Sequence, residues 1–258
     1  MQPQPLSSVN LLSNLEFDHG DGGLLRAFIA NAEQQALARG VSLTVAGFDT
    51  LKRLNEENRK TWAPVLSIFD QERGGVAPED GLAFIGYDSS GRGVTSIAAR
   101  LFHWSDTTFE EGARSLKLFY GEPDRWKAAG ETCAVTARAT RLVSGRVVFV
   151  GAGWFHPEFR GLGLSGILSR LARAYAYARW RSDFTTGFVT EALFKARNSS
   201  NWNGFTNIDW ALDWTGSTRG DARFAFVWMR PDQLQDDLSG YLARAAAKVD
   251  AVIEKRTA

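Results

Sequence analysis

The sequence predicts an α/β fold, and three observations carry that expectation. Runs of β-forming residues alternate along the chain with stretches whose apolar residues recur at helical spacing. Two β-rich runs, Gly81 to Tyr87 and Val94 to Trp104, are joined by Asp88-Ser-Ser-Gly-Arg-Gly, which reads as a hairpin turn. The apolar run ending at Phe155 is followed by Pro157, by a glycine-rich segment and then by a helical pattern. A strand there feeds a tight turn that opens a helix.

The elements follow in order. Residues 1–15 read as loosely ordered. Gly23 to Arg39 reads as an amphipathic helix through Leu24, Leu25, Phe28, Ile29 and Ala36, and Val41 to Val45 alternates like a strand. Phe48 to Asp70 reads as helical, with Asp49 or Thr50 as N-cap and a break at Pro64. Gly74-Gly75 and Pro78 mark a loop before the hairpin. Phe109 to Tyr120 reads as a helix, Gly121-Glu-Pro-Asp as a turn, and Thr132 to Leu142 as β-like. After the motif helix come a strand at Phe184 to Thr190, a short helix at Glu191 to Ser200, and a late strand at Phe224 to Met229 stopped by Pro231. In the tail, Leu234, Leu238, Tyr241, Leu242, Ala245, Val249, Val252 and Ile253 share one helical face. That face is read as packing on its own domain, with the seam of a homodimer as the alternative.

Composition bounds the function. With 258 residues and 44% hydrophobic content, the chain can bury a substantial core. A formal net charge of +1 gives no case for a nucleic-acid partner. The amino terminus lacks a basic segment followed by a long apolar one, and no run approaches the length of a membrane span. The expectation is a cytoplasmic protein with no membrane partner. The single cysteine, Cys133, excludes an internal disulfide and a cysteine-rich metal site, and it is read as a buried thiol. His19 and His103 stand alone and suggest no metal. Among nine tryptophans, Trp202, Trp210 and Trp214 cluster after the motif helix, as core or as the wall of a substrate pocket.

The segment from 147 to 173 is the most informative. Its turn aims free backbone N–H groups into one small volume at the positive end of a helix, which suits a phosphate or pyrophosphate. Gly161 and Gly163 can take positive φ and admit a ligand close to the backbone. Ser165 and Gly166 keep the first helical turn open, while Leu164, Ile167, Leu168 and Leu171 face a core. Arg170, Arg173, Arg179 and Arg181 lie along the rest of the helix. Gly161-Leu162-Gly163-Leu164-Ser165-Gly166 is also a literal dinucleotide fingerprint, with Asp183 downstream as the expected acidic residue. Against that reading, His156 to Arg160 separates the strand from the glycines.

At these residues the sequence resembles the GCN5-related N-acetyltransferase (GNAT) superfamily. The family signature, Arg/Gln-x-x-Gly-x-Gly/Ala after a strand, is matched by Arg160-Gly161-Leu162-Gly163-Leu164-Ser165, with Phe155-His156-Pro157 as lead-in. Ser165 departs from the usual Gly or Ala. The resemblance covers residues 80–105 and 145–230. It implies a GNAT-like acyl-CoA acyltransferase fold, a mixed central sheet flanked by helices, with N-terminal, internal and C-terminal extensions. On that reading residues 1–40 are an N-terminal extension with a helix, 41–230 the acyltransferase domain, 105–143 an insertion that selects substrate, and 231–258 a C-terminal amphipathic helix.

The resemblance also implies the chemistry: transfer of acetyl from acetyl-CoA to the amine of a small molecule or peptide, by direct attack. Gly161, Leu162, Gly163, Leu164, Ser165 and Gly166 would bind the pyrophosphate. Gly153, Trp154 and Phe155 would lie along the pantetheine, Arg160 or a later arginine of the helix would either meet a ribose phosphate or stand as solvated surface charge, and Asn198 would bind the cofactor arm. Many members place a tyrosine four residues before a Gly-Phe pair; here Gly204-Phe205 is the pair and Ser200 stands at the tyrosine position. Glu191 is the candidate base, against a plain helix N-terminal charge, and His156 is read as a turn residue. The alternative function is an acyl-CoA-binding or interaction protein that keeps the fold without catalysis.

Overall fold

In this computed structural model the described residues are 11, 19–197 and 203–257, the side chains of 197 and 248–257 excepted. The chain opens with α1 (Gly22–Leu37), β1 (Ser42–Ala46), α2 (Phe48–Glu57) and the single turn α3 (Gln71–Gly74). Then come β2 (Gly81–Tyr87), β3 (Gly93–Trp104), α4 (Phe109–Arg114), α5 (Pro123–Ala128), β4 (Thr132–Val135) and β5 (Gly145–Phe155). The last elements are α6 (Leu164–Trp180), β6 (Phe184–Thr190), α7 (Glu191–Arg197), β7 (Asn207–Thr215), β8 (Ala222–Met229) and α8 (Pro231–Thr257). The strands form one mixed sheet of eight in the order β1-β2-β3-β5-β6-β8-β7-β4. β5 and β6 run parallel, joined through α6, and the other neighbours are antiparallel.

Alternation along the strands gives the sheet two buried faces. Leu43, Phe84, Val148, Val150 and Val227 meet α1, α6 and the start of α8 on one face. Ala83, Ile85, Phe149 and Phe226 meet α2 and the segment 105–143 on the other. Nearly every side chain of α6 is buried, because α1 and α8 cover the flank it turns away from the sheet. That includes two arginines expected along the helix surface. Arg173 is fully buried and Arg170 nearly so, and both pair with Asp237 of α8, at 3.2 and 2.9 Å. Burial pulls the Arg173 guanidinium down to about 9, still charged at neutral pH. Leu234 and Leu238 are buried and Tyr241 and Leu242 pack beside them, so the described part of the tail helix does dock on its own domain.

Several elements depart from the sequence expectation. α1 starts one residue earlier than expected, with the Asp21 carboxylate accepting from the Leu24 N–H. α2 starts at Phe48 as expected, but its N-cap is Gly47 rather than Asp49 or Thr50, and it ends at Glu57, well before Pro64. α4 stops at Arg114 because Leu116 takes a left-handed conformation, φ 62°. The β-like run from Thr132 is a strand only to Val135, then a 3-10 turn from Arg138 to Leu142. β7 was not expected at all, although Ile208, Trp210, Leu212 and Trp214 alternate with Asn207, Asp209 and Asp213. Of its tryptophans, Trp214 packs in the core, buried and stacked on Phe119 (4.5 Å, 8°), and Trp210 meets Phe194 edge-on. Trp202 lies outside the described residues.

Candidate active site

The site is set by where pairing stops. β5 and β6 are registered from Val147↔Phe184 to Val150↔Gly187 and no further. Both strands continue, β5 to Phe155 and β6 to Thr190, so they diverge and leave two facing stretches of unpaired edge. Two features drive the divergence. The β3–β5 register shifts between Ser96 and Ala98, a bulge at which Ala152 takes φ 52°, a conformation costly for any residue with a Cβ. The far side of β5 is meanwhile fastened to β3. Ser96 Oγ donates to the Ala152 carbonyl and Thr95 Oγ1 to the Trp154 carbonyl, both at 2.9 Å, and the His156 N–H donates to the Val94 carbonyl at 2.8 Å.

The divergence opens a cavity of about 380 Å3, walled by Gly151, Ala152, Gly153 and Phe155 from β5 and by Gly187, Phe188 and Val189 from β6. Ser165 and Ser169 of α6, with Asn203 and Phe205, close it. It shares Gly153, Phe155 and Ser165 with a second cavity of about 610 Å3 that runs past Phe159, Arg160, Gly161 and Gly163. The second cavity ends at Thr61, Trp62 and Ala63, where Trp62 stacks face to face on Trp154 (5.0 Å, 9°).

The turn between β5 and α6 is built as its residues require. Pro157 starts a 3-10 turn, and the His156 ring nitrogen accepts from the Glu158 N–H at 3.4 Å, which is the turn role expected of it. Arg160 Nε donates back to the Phe155 carbonyl at 3.1 Å, so this guanidinium braces the turn. Gly161 and Gly163 take φ 79° and 74°, and a Cβ on either would project into open space rather than into protein. Gly163 is the N-cap of α6 and supplies no side-chain cap, so the first N–H groups of the helix face the cavity without a side-chain acceptor.

The turn thus gathers most of the residues proposed for binding. Gly153, Trp154, Phe155, Arg160, Gly161, Gly163, Leu164 and Ser165 line the two cavities. Leu164 is buried in the core and offers backbone, Leu162 points outward at 42% exposure, and Gly166 lies a little further along, its carbonyl accepting from Arg170. Glu191 opens α7 outside both linings, its carboxylate 3.2 Å from Lys195 and 43% exposed. Asn198 and Ser200 lie outside the described residues. Phe205 lines the 380 Å3 cavity beneath the Arg173 guanidinium (4.4 Å), while at Gly204, φ 101°, a Cβ would overlap the Asp237 carboxylate.

The segment 105–143 contributes nothing to either lining. It covers the second face of the sheet, where the buried Glu131 accepts from the Tyr120 hydroxyl and the Trp214 indole. Sequence reasoning missed Trp62 and Ser96. A tryptophan in the break before Pro64 was the available signal for the first.

The geometry disfavours the dinucleotide reading. Asp183 precedes β6 and its carboxylate accepts from the Arg146 N–H at 2.8 Å, at the start of β5. β5 and β6 are parallel, so Asp183 sits at the opposite end of the sheet from the glycines.

No family model and no curated protein matches the chain. Solved structures do. A spermidine N-acetyltransferase, SpeG from Vibrio cholerae, as its F149G mutant, aligns at 10% identity over 76% of this chain and 96% of its own, with a TM-score of 0.43. SpeG in complex with manganese ions aligns at 12% identity over 80% of this chain and 96% of its own, TM-score 0.42. YncA from Salmonella typhimurium, solved with its cofactor acetyl-CoA, aligns at 14% identity over 74% and 94% of the two chains, TM-score 0.40.

Proposed function

We propose that this chain is an acyl-CoA-dependent N-acyltransferase that transfers acetyl from acetyl-CoA to an amine of a small molecule or peptide by direct attack. The observation that carries the reading is the junction of two features: unpaired strand edges on both sides of an uncharged slot, and a glycine turn with free helix N–H groups at its mouth. The open space where a Cβ would stand on Gly161 and Gly163 fits a group approaching the backbone closely. Bound there, acetyl-CoA supplies the activated acyl group.

The chain's residues do the rest. The N–H groups from Gly161 to Gly166 hold the pyrophosphate with the positive end of α6 behind them. The free edge of β5 at Gly153 to Phe155 binds the extended arm, and a strand N–H there polarises the acyl carbonyl. Phe155, Phe188 and Phe205 exclude water from the slot. Holding the amine against the carbonyl supplies much of the rate. Glu191 as base would act from outside the lining through water, after releasing Lys195.

A second reading, an acyl-CoA-binding protein without catalysis, is favoured by one observation: neither lining contains a carboxylate, histidine or tyrosine among the described residues. Calorimetry with acetyl-CoA, CoA and NAD tests the shared part of both. Micromolar binding of the CoA species and none of NAD supports it, and no CoA binding refutes it. Thiol release from acetyl-CoA on adding candidate amines then separates the enzyme from the binder.

A further inference from the structure

The wall that ends the 610 Å3 cavity is a loop held by its own hydrogen bonds. Past α2, the Asn58 carbonyl accepts from the Thr61 and Trp62 N–H groups, both at 3.0 Å. The buried Asn55 amide donates to the Ala63 carbonyl at 3.0 Å, and its oxygen accepts from the Val65 N–H at 3.2 Å. This loop lays the half-buried Trp62 flat on Trp154, whose neighbour Gly153 lines both the cavity and the slot. A molecule that enters the slot along this wall passes an indole.

Two arginines meet at the far end of this loop. Arg59 Nη1 lies 3.4 Å from the same Asn55 oxygen that holds Val65, and Arg219 Nη1 donates to the Val65 carbonyl at 2.6 Å. Arg219 comes from the turn between β7 and β8. There the Ser217 hydroxyl donates to the Gly220 carbonyl at 2.8 Å and accepts from the Arg219 N–H at 3.2 Å, which fixes the direction of approach. Both arginines are exposed, and neither has a carboxylate partner among the described residues. The carboxylates of the same hairpin are engaged elsewhere, Asp213 with Arg223 and Asp221 with the Gly216 N–H. Partial burial and then the charge of Arg59 lower the Arg219 pKa, as expected of two cations held close. Such a pair attracts an anion, and the guanidinium fork matches a carboxylate. The cavity that leads away from the pair offers a polycation no carboxylate; the one charged side chain of its lining is Arg160.

We infer that the acceptor is an anionic amine, an amino acid or short peptide whose carboxylate is bound by Arg59 and Arg219, whose body lies along Trp62 and whose amine reaches the slot. The inference rests on the acyltransferase reading, and it places acceptor recognition on two segments outside the glycine motif.

The test compares three acceptors that share one amine and one ring: the C-terminal amides of Phe-Glu, Phe-Gln and Phe-Arg. Thiol release from acetyl-CoA gives kcat/KM for each with the full natural chain, Arg219→Glu and Arg59→Glu, and calorimetry gives the acetyl-CoA affinity. Both arginines are exposed, so the variants are expected to keep their melting temperature. The natural protein should prefer the Phe-Glu amide to the Phe-Gln amide by about tenfold or more, the scale of one charge-assisted contact, and to the Phe-Arg amide by more. Either substitution should erase that preference, and Arg219→Glu should turn it toward the Phe-Arg amide; a purely structural loss would slow all three alike. Equal rates with the natural protein, a preference for the Phe-Arg amide, or a preference that survives both substitutions overturns the anion site and leaves the enzyme reading standing. Thiol release with none of the three also overturns it. Acetyl-CoA binding retained in that case keeps the acyl-CoA reading, and binding lost refutes that reading as well.

Discussion

Gly163→Trp separates folding from ligand binding at the turn on which the functional reading depends. Gly163 holds φ 74° as the N-cap of α6 and lines the turn cavity. A residue with a Cβ in that conformation costs about 1–2 kcal/mol. The Cβ itself meets no clash, because no atom lies within 4 Å of where it would be. For a chain of this size that cost lowers the melting temperature by roughly 2–8 °C. The indole must then extend into the space that the helix N–H groups face. An occupant of that size displaces a pyrophosphate outright, so acetyl-CoA affinity should fall by about a hundredfold or more, at least ~2.7 kcal/mol. Calorimetry measures the affinity and a thermal melt the stability. Gly163→Ala serves as the control, carrying the same strain with far less obstruction. If Gly163→Trp melts within that range and still binds acetyl-CoA as the natural protein does, the turn is not the binding site and the functional reading is wrong.

Three further outcomes follow from the packing. Asp237→Ala leaves Arg170 and Arg173 buried without a counter-charge, which should cost about 3–5 kcal/mol and lower the melting temperature by roughly 6–20 °C; a drop of under 2 °C would show that the pairs contribute little. Ser96→Ala removes the hydroxyl that holds the Ala152 carbonyl at the bulge and should lower stability in urea by about 1–3 kcal/mol, with weakened acetyl-CoA binding because that bulge shapes the slot; unchanged affinity would separate the bulge from the site. Burial pushes the Cys133 thiol from 9.0 up to about 12, so a disulfide reagent at pH 8 should label it only after denaturation. Because its folded pKa is the higher one, the thiol's contribution to stability is intact below pH 9.0 and falls as pH rises toward about 12, which denaturant titrations of the natural protein and Cys133→Ala across that range would reveal.

The central strand–turn–helix was legible because its signals are local. Pro157 ends the strand, Gly161 and Gly163 reverse the chain, and Leu164, Ile167 and Leu168 set the face of α6, all within about a dozen residues. The hairpin of β2 and β3 was legible for the same reason. What escaped depended on distant partners. α2 ends early because Asn55, a helix residue by pattern, binds the Ala63 carbonyl and the Val65 N–H and so fixes a loop. The arginines of α6 read as surface because their counter-ion, Asp237, is over sixty residues away.

The slot itself has no signature in any one strand. Past Val150, β5 reads Gly151-Ala152-Gly153, which marks a weakened or bulged strand with part of its edge unpaired but not which neighbour it parts from, while β6 carries Phe188-Val189-Thr190, suited to continue pairing. They part because β3 takes up the end of β5: Val94, Thr95 and Ser96 bond to His156, Trp154 and Ala152, and the bulge turns the strand toward them. The position of the slot is therefore a property of three strands together. The glycine turn becomes a binding site only because this parting places an open strand edge beside it.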